Sequence, residues 1–162
     1  MKHITLQAAL TVYEDINELE QEDQKLVRAA YEALEKAYAP YSLFKVGAAV
    51  LLENGEIIQG NNQENAAYPS GLCAERVAVF YAGSLWPCVK ILKLAVAASA
   101  EAQNRQLPVP PCGACRQSVL EYEVKQKEPI EILFTGKSGP VIKSASMQDL
   151  LPMAFNASFL AK

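Results

Sequence analysis

The chain has 162 residues, 51% hydrophobic and 20% charged, enough for one domain that buries about 70% of its unfolded surface. Its net charge is -3 with no long basic run, which argues against a face built to grip a phosphate backbone and favours small substrates. No apolar stretch approaches the roughly 18 residues of a membrane span. The N-terminal segment turns acidic where a secretory signal would carry its cleavage site, so the expected compartment is the cytoplasm. There, Cys73, Cys88, Cys112 and Cys115 read as metal ligands or reduced thiols rather than disulfides.

Residues 1–162 read as a single domain in which 1–22 form an extension of unassigned role. Within it, Ile4 to Val12 suggests an edge strand and Tyr13 to Gln21 a short acidic helix. From Asp23 to Ala39, Leu26, Ala29, Ala30, Ala33, Leu34 and Ala37 recur at helical spacing until Pro40. The acidic cluster from Glu18 to Asp23 reads as a solvated face. Phe44 to Leu52 and Glu56 to Gly60 flank Asn54-Gly55, a hairpin signal. A helix is expected over Cys73 to Gly83, then a buried strand over Ile91 to Ala98. Pro108 to Pro111 introduces a helix over Cys112 to Tyr122. Ile130 to Thr135 and Val141 to Ser144, joined through Gly136-Lys137-Ser138-Gly139, must pair antiparallel. Met147 to Met153 reads as a last short helix. This order predicts an α/β fold, a three-layer α/β/α sandwich around a mixed sheet of about five strands.

Two helix starts carry the chemistry. Cys112 and Cys115 lie three apart, on one helical face, and can grip one ion. Cys73 offers a third thiolate, and three protein ligands leave the fourth tetrahedral position open, as in catalytic zinc sites. Glu75, two residues on in the first turn, can lean toward the same space as a general base and then a general acid. Three thiolates and one divalent zinc sum to -1. Two helix N-termini, each worth roughly half a positive charge, and Arg76 would offset the excess. Zinc deaminases combine such a Cys-x-x-Cys half with a non-ligand Glu, usually in His-x-Glu; here the form is Cys-x-Glu.

The runs Ala39-Pro40-Tyr41-Ser42-Leu43-Phe44-Lys45-Val46-Gly47-Ala48, Asn62-Gln63-Glu64-Asn65-Ala66, Cys73-Ala74-Glu75-Arg76 and Pro111-Cys112-Gly113-Ala114-Cys115-Arg116-Gln117 resemble, in order, the small homotetrameric cytidine deaminases. The resemblance spans about Asp23 to Phe155. It implies zinc held by Cys73, Cys112 and Cys115, with Glu75 as proton shuttle and Arg76 partly neutralising the thiolates. It implies that Asn62 and Glu64 bind the ribose 3'-hydroxyl, Phe44 flanks the pyrimidine, and the Ala74 amide meets the 2-oxo group. The Pro110 carbonyl would meet the leaving amine, and Phe155 would pack at a neighbouring subunit's site in a homotetramer. Pro110 stands where the family often has Ser, and Gln63 where an aliphatic residue is usual.

The implied reaction is hydrolytic deamination of free cytidine or 2'-deoxycytidine, in pyrimidine salvage. Alternatives are a deaminase of another cytosine nucleoside, such as the blasticidin type, or a non-catalytic protein in which zinc joins two helices. Cys-x-x-Cys alone would also suit a redox pair, but that leaves Cys73-Ala74-Glu75 unexplained. Taken singly, Asn62 and Glu64 read as turn or surface residues, and Phe44 and Phe155 as core.

Overall fold

The computed structural model describes residues 1–100 and 107–160. Among these, six strands form one mixed sheet in the order β1-β6-β5-β4-β2-β3. They are β1 (Leu10–Tyr13), β2 (Phe44–Leu52), β3 (Ile57–Asn61), β4 (Ile91–Ala100), β5 (Glu131–Thr135) and β6 (Val141–Ser144). Only β4 and β5 run parallel; the other neighbours are antiparallel. Alternation along the strands supplies two cores. Ala49, Leu51, Ala95, Ala97 and Leu133 pack against α1 (Gln21–Glu35). Ala48, Val50, Leu94, Val96 and Ile132 face the opposite layer, which contains α2 (Ala74–Leu85), α3 (Gly113–Gln126) and α4 (Met147–Leu150). The three-layer α/β/α arrangement is therefore present, with six strands rather than about five.

The sixth strand is β1. Leu10 to Tyr13 pairs residue for residue with all four positions of β6, so residues 4–9 have no further strand to pair with, and the expected Ile4–Val12 strand is shortened to its end. The expected helix at 13–21 is a single 3-10 turn, Ile16–Glu18, started by the Asp15 carboxylate accepting the Asn17 amide at 2.6 Å. Helix α1 begins two residues earlier than expected and stops at Glu35 rather than Ala39. The residue before Pro40 is disfavoured in the helical region, and Tyr38 instead donates its amide to the Asn62 carbonyl at 3.0 Å. The last helix likewise ends at Leu150, ahead of Pro152.

Within the acidic cluster, Glu18, Glu20 and Glu22 are exposed as a solvated face should be, and Asp23 is the exception. It is 1% exposed, and its two oxygens accept from Lys93 at 2.6 Å and Lys143 at 2.8 Å. Glu131 adds a second contact to Lys143 at 2.8 Å. The first turn of α1 is thereby tied to β4, β5 and β6.

Glycine permits the close seating of α2. A Cβ on Gly60 of β3 would lie 2.4 Å from the Ala78 amide and 2.7 Å from the Ala74 carbonyl, well inside van der Waals contact. With hydrogen there, the first turns of α2 rest directly on the sheet.

Candidate active site

The starts of α2 and α3 meet at one end of the sheet. Cys73 is the N-cap of α2 and Cys112 the N-cap of α3, with Cys115 buried in the first turn of α3. Their Sγ atoms all lie within 4.8 Å of one another, and no other cluster of three His, Cys, Asp or Glu ligand atoms this tight occurs among the described residues. Cys73 and Cys112 are 3.9 Å apart, Sγ to Sγ. Tetrahedral thiolates at about 2.3 Å from zinc would sit about 3.8 Å apart. The donor set and its spacing fit zinc.

The electrostatics fit as well. A hydrogen bond from Cys115, with Arg76 and Cys112 adding to it, holds the Cys73 thiol down to about 5 against the opposing effect of burial. The same hydrogen bond and burial push Cys115 up. Arg76 Nη2 donates to Cys73 Sγ at 3.7 Å. Its Nε–H is buried without a partner, the orphan donor expected where a polar ligand completes a site.

Glu75 is 4% exposed. Burial, and then the Cys73 charge, push its carboxyl above the usual carboxylate range. A carboxyl so placed exchanges a proton more readily near neutral pH than a solvated one.

These groups open onto a cleft of about 690 Å3, a size suited to a nucleoside-sized molecule. Cys73, Glu75, Arg76 and Cys112 form its polar floor, and Phe44, Val46, Leu72, Val96 and Val109 its apolar walls. Pro110, Asn62 and Glu64 also line it. Ala74 is fully buried as the first residue of α2, where an amide has no intrahelical acceptor.

Asn62 and Glu64 are more tightly engaged than their resemblance-based roles required. Asn62 Oδ1 accepts the Val46 amide at 2.8 Å, and Nδ2 donates to the Phe44 carbonyl at 2.9 Å. One Nδ2 hydrogen remains. The Glu64 carboxylate accepts the Tyr41 amide at 2.9 Å, the Ser42 amide at 3.2 Å and the Ser42 hydroxyl. The hydrogen bond from the Ser42 side chain is the main cause that lowers its pKa. Together they hold the turn in which Leu43 takes a φ of 54°, a left-handed strain that delivers Phe44 to the cleft.

Phe155 lies apart from the cleft lining, 56% exposed and stacked on Phe159 at 5.8 Å. Reading the sequence missed the Tyr41–Tyr68 edge contact at the cleft, with ring centroids 6.3 Å apart. It also missed Val96, whose apolar run reads as core at almost every position.

The chain matches the family model for the cytidine and deoxycytidylate deaminase zinc-binding region over residues 20–127. It is 40% identical over 134 residues to a cytidine deaminase of Halalkalibacterium halodurans, covering 83% of this chain and 94% of that one. A cytidine deaminase of Sporosarcina psychrophila is 42% identical over 139 residues, covering 85% and 94%. Among solved structures, the cytidine deaminase of Burkholderia pseudomallei superposes with a TM-score of 0.69 at 42% identity, covering 81% of this chain and 97% of that one. That of Mycobacterium tuberculosis gives 0.63 at 32% identity, with 82% and 95% covered.

Proposed function

The chain belongs to the cytidine and deoxycytidylate deaminase family, and from that premise we propose that it hydrolyses free cytidine or 2'-deoxycytidine to the uridine product and ammonia. The observation that carries this reading is the buried Glu75 carboxyl beside three clustered thiols at the floor of a nucleoside-sized cleft. Cys73, Cys112 and Cys115 would hold one zinc, which when bound would supply Lewis-acid chemistry that makes water a nucleophile near neutral pH.

The chain's own groups do the rest. Glu75 accepts a proton from the attacking water and delivers it to ring N3, then accepts the remaining proton of the C4 hydroxyl and delivers it to the departing amine, which leaves as ammonia. Arg76 steadies the charge on Cys73. Phe44 covers one face of the pyrimidine, the Ala74 amide donates to the 2-oxo group, and the Pro110 carbonyl accepts from the amine. The remaining Asn62 hydrogen binds the ribose 3'-hydroxyl. Glu64 Oε1 accepts only the Ser42 hydroxyl and keeps an acceptor site with which it joins Asn62 on the ribose 3'-hydroxyl.

Residues 1–162 form one domain of a cytoplasmic salvage enzyme that works as a homotetramer. The outer side of α2 supports association: Phe80, Tyr81 and Leu85 are 43%, 56% and 48% exposed on a helix whose inner side is also apolar. A helix apolar all round is normally covered on both sides. The exposed Phe155 then packs at a neighbouring copy's cleft.

The test is ammonia release from cytidine, 2'-deoxycytidine and free cytosine by zinc-loaded protein. Turnover of the nucleosides with little on the base supports the reading. Turnover of none of them by folded, zinc-loaded protein removes it.

A further inference from the structure

Arg116 stands at the fourth position of α3, where the positive end of the helix dipole disfavours a cation. A local rule broken in this way calls for a compensating contact, and Arg116 has two. Its Nε donates to the Pro111 carbonyl at 2.7 Å and its Nη1 to the Leu150 carbonyl at 2.8 Å. The planar guanidinium is thus clamped between the loop that precedes Cys112 and the end of α4.

The consequence reaches the cleft through two consecutive prolines. Each ring fixes its own φ near -65°, and each peptide is planar. Within Pro110-Pro111 the soft dihedrals are therefore the two ψ angles. The Pro111 ring is buried and its carbonyl is pinned by a short charge-assisted bond, so its ψ is fixed. Fixing Pro111 fixes the peptide behind it, which carries the carbonyl of Pro110, a residue of the cleft lining.

We infer that Arg116 is a positioning residue, which aims the Pro110 carbonyl at the substrate's amine by holding Pro111 against the end of α4. This rests on the deaminase reading above. It assigns Arg116 a different task from Arg76, whose guanidinium addresses the Cys73 sulfur itself. Lysine cannot replace it fully, because one ammonium lacks the rigid fork that spans two carbonyls.

The amine distinguishes substrate from product, and the test uses that difference. In a Glu75→Gln background, which stops turnover, cytidine and uridine affinities are measured by calorimetry with and without Arg116→Gln or Arg116→Lys. Zinc content and Tm are recorded for each. Arg116→Gln is expected to raise the Kd for cytidine about tenfold and leave that for uridine within about twofold, with one zinc per chain retained. Arg116→Lys falls between. Equal weakening of both nucleosides, or no change in either, in folded zinc-loaded protein overturns the assignment. A Glu75→Gln parent that binds neither nucleoside sinks the deaminase reading instead, so the two failures are told apart.

Discussion

Asp23 and Glu75 are carboxylates in the first turns of α1 and α2, 1% and 4% exposed, and their surroundings drive their proton affinities in opposite directions. Burial pushes Asp23 up, but hydrogen bonds and charge from Lys143 and Lys93 outweigh it and hold it below its ordinary value. Burial also pushes Glu75 up, and the neighbouring Cys73 charge pushes the same way, with Arg76 a smaller counterweight. One carboxylate is closed off by two cations at the far end of the strands. The other is left able to take and give a proton, at the floor of the cleft. Burial of a charge therefore does not mark a working site; incomplete compensation beside an open space does.

That contrast can be broken at either end. Cys115→Ala removes the buried thiol, and we expect zinc content to fall far below one per chain and cytidine turnover to vanish, read by metal analysis and ammonia release. Retained zinc and turnover would strike Cys115 from the ligand set. Asp23→Asn removes the buried carboxylate that Lys93 and Lys143 share and leaves them only the more exposed Glu22 and Glu131. It should cost about 3 kcal/mol, seen as a fall in Tm of about 10 °C, while kcat for cytidine stays near that of the parent. A large loss of kcat at unchanged Tm would show that the two ends are not separate.

Acid should erase the second difference. Asp23 titrates lower in the folded protein than its ordinary value of 3.8, so its stabilising contribution is fully present above that value and lost as pH falls through the folded pKa. The Tm gap between parent and Asp23→Asn should stay constant from neutral pH to about 5 and shrink below about 4. A gap that widens on acidification would contradict the assignment.

The smallest effect is expected from removing residues 1–15, which strips β1 from β6. Turnover should be unchanged, and the bared β6 edge should raise self-association, measured by light scattering. Loss of turnover would tie the extension to the site.

The cluster of three thiols and the buried Glu75 beside it were legible because they are carried by residue type and short spacing: Cys-x-Glu and Cys-x-x-Cys at helix starts. The hairpin at Asn54-Gly55 and the buried strand β4 were legible for the same local reason. What could not be read depended on partners distant in the chain. The length of β1 is set by β6, more than a hundred residues away in the sequence. The burial of Asp23 needs Lys93 and Lys143, and no local pattern announces a pairing across 70 and 120 residues. Asn62 and Glu64 were placed at the cleft by resemblance, but their hydrogen bonds to Phe44, Val46, Tyr41 and Ser42 emerge only once the turn is folded. Val96 lines the cleft from within a run that is apolar at almost every position, so periodicity could not single it out.

The central claim is that Glu75 moves the protons in a deamination whose metal it does not hold. The direct measurement is cytidine turnover by Glu75→Gln beside the parent, both brought to one zinc per chain. The account predicts a loss of about 10²- to 10⁴-fold in kcat with zinc affinity preserved. Turnover within a few-fold of the parent, or a variant that cannot keep its zinc, would contradict it.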